Sequence, residues 1–105
     1  MQKLTRFALL IVALLTPISL LATEDAEVPD PCPSVIELAE QIMSARQAGV
    51  SMAKLMEVMQ GEFQRKLVLE AYQIPLYTTQ EYRDSETTEF GNKQGVACYA
   101  AMLGS

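Results

Sequence analysis

Histidine and tryptophan are absent from this 105-residue chain, and cysteine occurs only twice. The usual protein zinc sites draw four ligands mainly from cysteine and histidine, so a chain with two cysteines and no histidine cannot build one. The sequence also lacks a glycine-rich phosphate loop, a G-x-S-x-G turn and any nucleophile with an evident base. These absences predict a protein that is not an enzyme and that carries no cofactor.

Paired carboxylates are the remaining signal that could indicate catalysis. Glu37 with Glu40, and Glu86 with Glu89, are each three residues apart. Two carboxylates can act as acid and base in glycoside hydrolysis. Acids at this helical spacing are far more commonly a solvated helix face, so the non-catalytic prediction stands.

The N-terminal sequence MQKLTRFALLIVALLTPISLLA has the layout of a secretory signal peptide. Lys3 and Arg6 form its positive region, and an apolar stretch follows, with a cleavage site expected after Ala22. An uncleaved membrane anchor is the alternative. The apolar run has only 16 residues and includes Pro17, whereas a span needs about 20. We therefore expect residues 1–22 to be removed and the protein to be periplasmic or secreted.

The expected mature chain is strongly acidic. Loss of Lys3 and Arg6 leaves six basic and thirteen acidic residues, a net charge of −7. Such a chain repels phosphate backbones and anionic lipid surfaces, which argues against binding to nucleic acids or to membranes. The expected partner is another envelope protein, and a basic one would suit the charge.

The two cysteines, Cys32 and Cys98, predict a disulfide bond, because paired cysteines of exported proteins meet an oxidising compartment. A loop of this length contributes about 4 kcal/mol in the chain-entropy model, comparable with the net stability of a small domain. A reactive Cys32 thiol ahead of a helix is the alternative. The chain has no C-x-x-C motif and no histidine to support it.

Helical periodicity dominates the chain after an acidic, proline-rich leader at residues 23–33. Residues 34–105 predict a small all-α bundle of about four helices, stapled by one disulfide. The four predicted helices span residues 34–48, 52–60, 62–73 and 79–102.

Capping residues place the helix starts. Ser34 with Glu37 and Thr78 with Glu81 each match a capping box, and Ser51 fits an N-cap.

Glycine and proline place the helix ends. Gly49 and Pro75 are natural stops. Gly91 and Gly95, inside the last helix, are predicted weak points that cost about 1 kcal/mol each relative to alanine.

Three methionines, Met52, Met56 and Met59, share one face of the second helix with Leu55. Ordinary core packing is the leading interpretation, and we expect these side chains to be mostly buried. An adaptable surface for a partner is the second. A soft-metal site for Cu(I), built from thioethers, is the third.

Arg46 falls in the middle of the apolar face of the first helix, and Glu86, Glu89 and Lys93 interrupt that of the last. A bare buried charge is costly, so each needs a partner. Arg46 could meet the carbonyls at its own helix end. It could instead form a buried ion pair with Glu86 or Glu89, and we expect Glu86 because it is nearer the helix start. A polar ligand pocket is the third interpretation.

Three segments, ELAEQIMSARQAGVSMAKLMEV, LVLEAYQIPLYTTQEY and EFGNKQGVACYAA, with a lone cysteine before the first, resemble those of a family of small exported proteins of bacteria and their phages. That family has no known activity. The resemblance implies an exported helical domain and transfers no functional residue. The expected function is therefore that of a small exported interaction protein, a partner binder, an inhibitor or a chaperone-like module. A periplasmic binder of a small ligand or soft metal is the alternative.

Overall fold

The structure, a computed structural model, describes residues 29–104, so the predicted signal peptide and most of the leader lie outside the described residues. This part of the chain contains four α-helices and no strand, which confirms the predicted all-α class. None of these helices is both long enough and apolar enough to cross a membrane. The helices, numbered in chain order, are α1 (Cys32–Gln47), α2 (Met52–Val58), α3 (Glu62–Ala71) and α4 (Gln80–Gly104).

Helix α1 begins two residues before the predicted start at Ser34. Pro31 occupies the N-cap position and another proline lies in the first turn, where the fixed backbone angle of proline suits a helix. The Asp30 carboxylate accepts a hydrogen bond of 2.9 Å from the Cys32 amide. Asp30 therefore supplies the capping oxygen that the sequence pattern assigned to Ser34.

Helix α1 ends at Gln47, and Gly49 stops it, as predicted. Gly49 has a positive φ of 87°, in the left-handed region that favours glycine. Its amide donates to the Arg46 carbonyl (3.0 Å), and the Val50 amide donates to the Ala45 carbonyl (3.1 Å). This pair of bonds is a Schellman motif, which satisfies carbonyls that the end of the helix would otherwise leave unpaired.

The later helices start at small polar residues or glycine. The Ser51 side chain accepts a 3.2 Å hydrogen bond from the Lys54 amide, so the predicted cap of α2 is confirmed. Thr79, rather than the predicted Thr78, accepts from the Tyr82 amide at 3.4 Å at the start of α4. Gly61 occupies the N-cap position of α3.

The core lies between α1, α3 and α4, with α2 closing one side. Helix α1 packs chiefly against α4 and also against α3, while α2 packs on α3. Eight buried side chains form this core: Ala39, Ile42, Met43, Leu55, Leu67, Val68, Ala71 and Phe90.

The predicted disulfide is present. Cys32 and Cys98 are bonded, with a Cα–Cα distance of 5.7 Å and a sequence separation of 66. The bond joins the first residue of α1 to the C-terminal half of α4, so these two helices run antiparallel.

Gly91 and Gly95 mark the closest approach of α4 to α1, and both are buried. A Cβ at Gly91 would lie 2.6 Å from Glu40 Cγ, and one at Gly95 would lie 2.7 Å from Ile36 Cδ1. Two glycines four residues apart lie on one helix face, so they form a flat strip against which α1 packs. The sequence treated them as weak points of α4, but α4 continues unbroken through both.

Candidate functional site

Arg46, the centre of the predicted charged cluster, connects the end of α1 to the segment that follows α3. We call the contacts of Arg46 and Tyr72 with this part of the chain the joint. Arg46 Nε donates a 3.1 Å hydrogen bond to the Ile74 carbonyl. Its guanidinium carbon lies 4.9 Å from the centre of the Tyr72 ring, a cation–π contact. The predicted ion pair with Glu86 or Glu89 is not among these contacts.

Tyr72 completes this joint. Its hydroxyl donates a hydrogen bond to the Val50 carbonyl. Burial raises the pKa of Tyr72 above its usual 10.0, and the positive charge of Arg46 offsets part of that rise. The Arg46 charge is therefore accommodated by a backbone carbonyl and an aromatic face rather than by a carboxylate.

Gln47, which sequence reasoning missed, holds the same segment from the buried side. It is only 3 % exposed. Its Nε2 donates to the Pro75 carbonyl, and its Oε1 accepts from the Tyr77 amide, both at 2.9 Å. The available signal was its position one helical turn after Met43 on the apolar face of α1, where a polar side chain needs partners.

A small polar cavity of about 160 Å³ lies beside this joint. Arg83 at its wall donates from Nε to the Tyr77 carbonyl at 2.7 Å. Gln47, also at the wall, directs its amide group to the loop between α3 and α4. These polar groups hold the protein's own backbone, which favours a structural role for the cavity over a ligand site. The lining residues are Ser44, Gln47, Ala48, Gln80, Arg83, Asp84 and Thr87.

The three predicted face methionines differ in their surroundings. Met56 and Met59 are half-buried and pack against the core, whereas Met52 is 41 % exposed. Leu55 on the same face is buried. The expectation of mostly buried methionines therefore fails for Met52, which lies in the first turn of α2.

An apolar groove lies at the opposite end of the molecule, next to the disulfide. Its volume is about 290 Å³. Phe63 is half-exposed at the groove wall. The groove is lined by Pro31, Val35, Phe63, Gln94, Ala97, Cys98 and Ala101.

Gln94 fixes one wall of this groove. It is buried, and its Nε2 donates a 2.6 Å hydrogen bond to the Glu70 carboxylate. This bond ties α4 to α3 on the side of the groove where Phe63 lies. The groove is therefore bounded by elements that are fixed to one another, with the disulfide on its other side.

The last turns of α4 are apolar and exposed beyond this groove. From Gln94 to Gly104 the helix has no charged residue. Helical periodicity places Val96, Ala97, Ala100 and Ala101 on the same face of α4 as the core residue Phe90, yet all four are exposed. Ala100 and Ala101 lie beyond Cys98, which is opposite the first residue of α1, so no α1 turn lies beside them. Val96 and Ala97 precede Cys98 and lie on sides of α4 that α1 does not cover.

Residues 29–104 contain no group of three or more Cys, Asp or Glu side chains placed to hold a metal ion. Comparisons with protein-family models, with curated proteins and with solved structures find no match to this chain.

Proposed function

We propose that this chain is a small exported helical interaction protein without catalysis, which binds a basic, amphipathic segment of another envelope protein in the groove beside the disulfide. The observation that carries this proposal is the groove itself, a concave apolar site. The polar cavity at the other end of the molecule instead has its polar groups engaged in internal hydrogen bonds. Small-molecule and peptide anchors bind in concave apolar sites.

The size of the groove favours a side-chain anchor rather than a cofactor. The groove volume of about 290 Å³ lies just below the range for ligand pockets, which begins at about 300 Å³. One or two apolar side chains of a partner helix would fill it, with Phe63 contributing a half-exposed aromatic wall. Aromatic residues in such positions dominate the energetics of many interfaces.

Charge indicates the chemistry of the partner. Asp30 adjoins the groove residue Pro31, and Glu62 adjoins Phe63. In the sequence, Glu24, Asp25 and Glu27 precede Asp30. Acidic residues around an apolar groove attract a partner whose apolar anchor is flanked by lysine or arginine, and they increase the rate of encounter.

Export supports the identity of the partner as an envelope protein. The N-terminal sequence has a signal-peptide layout, and a disulfide bond persists in oxidising compartments. The three face methionines differ in exposure, with Met52 41 % exposed and Met56 and Met59 half-buried, so the soft-metal alternative gains no support from the placement of these side chains.

Two matched helical peptides test the groove. One carries leucines on one face and lysines on the other, and the second replaces every lysine with glutamate. We expect the lysine peptide to bind with a dissociation constant on the order of 10 µM by fluorescence anisotropy, and the glutamate peptide to bind at least about tenfold more weakly.

Ala101→Glu is the site variant, because it places a carboxylate in the groove at an exposed position. Ala53→Glu, at an exposed position on α2, is the matched control. Binding should be lost in the first and kept in the second, and a protein captured from envelope extracts should follow the same pattern. Equal binding of both peptides, or unchanged binding by Ala101→Glu, would refute the proposal.

A further inference from the structure

The exposed end of α4 carries a second apolar surface, on the side away from α1. Val96, Tyr99, Ala100 and Leu103 recur at i, i+3, i+4 and i+7, which places them on one helix face. Val96 is 69 % exposed and Leu103 is 86 % exposed. We call these four residues the α4 stripe, and none of them lines the groove described above.

We propose that the α4 stripe pairs with the same stripe of a second copy of this chain, as an antiparallel helix pair. A two-fold axis between Tyr99 and Ala100 sets Val96 of one copy opposite Leu103 of the other. It also sets Tyr99 opposite Ala100. A large side chain opposite a small one, on each side of the axis, is the pattern by which facing helices interdigitate.

Charge is compatible with this contact although the whole chain is acidic. Lys93 is the only charged residue between Phe90 and Gly104. In the antiparallel arrangement Lys93 falls beside the C-terminal end of the other copy's α4, where unpaired carbonyls carry partial negative charge. The contact therefore places a cation at a helix C-terminus and brings no acidic residues of α4 together.

Asp30 is the acidic residue that interacts with the stripe, through Tyr99. Its carboxylate already has hydrogen-bond partners within the same copy. It accepts a hydrogen bond from the Cys32 amide. The same carboxylate raises the pKa of Tyr99 above its usual 10.0, chiefly as a hydrogen-bond partner of the hydroxyl, with burial and its negative charge adding to the rise.

The size of the stripe determines the expected affinity of the dimer. Two helical turns bury less than the roughly 800 Å² per partner of a standard interface. The dimer should therefore be weak and concentration-dependent, with a dissociation constant on the order of 100 µM.

Sedimentation equilibrium of the purified protein, with its N-terminus established by intact mass, tests the pairing. The average mass should rise toward twice the monomer mass between about 10 µM and about 1 mM. Val96→Glu should remain monomeric over that range. Val58→Glu, at an exposed valine of α2 with 64 % exposure, should dimerise like the unmodified chain.

Mixing two variants tests the antiparallel register. Val96→Glu and Leu103→Lys should each weaken self-association. An equimolar mixture should recover at least part of it, because the carboxylate introduced in one copy then faces the ammonium group introduced in the other. The mixture of Val96→Glu with Leu103→Glu should stay monomeric. Recovery in a mixture of Val96→Glu with Val96→Lys instead would indicate a parallel pair and overturn the proposed register.

The proposal is wrong if the unmodified chain is monomeric at about 1 mM, well above the expected dissociation constant, or if Val96→Glu dimerises as the unmodified chain does. The proposal is also wrong if the unmodified chain is monomeric and its Val96→Glu variant no longer captures the envelope protein. That result would mean that the α4 stripe binds that partner and not a second copy. The groove proposal and the dimer proposal can be refuted separately. The first is tested by peptide binding to Ala101→Glu, and the second by the average mass of Val96→Glu in sedimentation equilibrium.

Discussion

Replacing Gly95 with alanine tests whether this glycine of α4 is needed for close packing against α1. The added Cβ would lie 2.7 Å from Ile36 Cδ1 and 2.8 Å from Ile36 Cγ1. Carbon atoms in van der Waals contact are separated by about 3.5–4.0 Å, so the helices or the Ile36 side chain must move by about 1 Å. Overpacking of this kind costs typically about 1–3 kcal/mol.

A second effect opposes this cost. Alanine in place of glycine favours a helix interior by about 1 kcal/mol. The expected net result is a destabilisation of about 1 kcal/mol, because Ile36 is branched at Cβ and its Cγ1 cannot move without a change of the stiff χ1 rotamer. Urea unfolding of the oxidised protein measures this as a lower midpoint with an unchanged slope.

The double-mutant cycle with Ile36→Ala separates the two effects. Ile36→Ala removes both atoms that the new Cβ would meet, so only the helix-propensity gain remains. Gly95→Ala should therefore destabilise the unmodified chain and stabilise the Ile36→Ala chain by up to about 1 kcal/mol. The same effect in both backgrounds would refute close packing as the role of Gly95.

Gly91→Ala is the matched control, because the side chain that its new Cβ would meet, Glu40, is more flexible than Ile36. Its Cβ would lie 2.6 Å from Glu40 Cγ, but Glu40 is half-buried, unbranched and free to adopt other rotamers. The cost of Gly91→Ala should therefore be smaller than that of Gly95→Ala, measured by the same urea titration.

Three further predictions concern the two ends of the molecule. Gln47→Ala should cost about 2 kcal/mol in urea, because it removes the two hydrogen bonds that a buried side chain makes to the Pro75 carbonyl and the Tyr77 amide. Amide exchange in residues 73–79 should accelerate, and unchanged exchange would contradict the role of Gln47. Thiol titration of the denatured, unreduced protein should find no free thiol, and reduction of Cys32–Cys98 should remove about 4 kcal/mol. The pKa of Tyr99 lies above that of an unfolded chain, so its contribution to stability is present below pH 10 and is lost as the pH rises through the folded pKa. Asp30→Asn should lower that pKa toward 10.0 in an NMR titration of the ring carbon, and no change would contradict the hydrogen bond.

Local chemistry explains what the sequence could predict. Ser51 and Gly49 act through their own backbone neighbourhood, so their roles as cap and stop follow from residue type alone. The disulfide was predicted from two cysteines and a sequence with the layout of a signal peptide. Each of these needs no knowledge of how distant helices are arranged.

Non-local geometry explains what the sequence could not predict. The periodicity of α1 placed Arg46 on the apolar face, but the path of the segment after α3 decides that it meets Ile74 and Tyr72. Likewise, a helical wheel shows that Val96 belongs to an apolar side of α4 but cannot show that α1 packs on a different side of that helix. The role of Gly95 depends on the distance between two helices, and no single-helix pattern contains that distance.

The position of the disulfide is connected with the apolar surface that α4 leaves exposed. At the loop end, Gln47 and its neighbours fix the chain by hydrogen bonds, and Phe90 belongs to the shared core. Beyond Cys98 the apolar residues of α4 are exposed, so burial contributes little to holding the helix in place. The covalent bond at Cys98 supplies that constraint instead, since it acts largely by restricting the unfolded chain and needs no buried surface. A stapled helix end can thus present apolar residues to a partner and remain folded while that partner is absent.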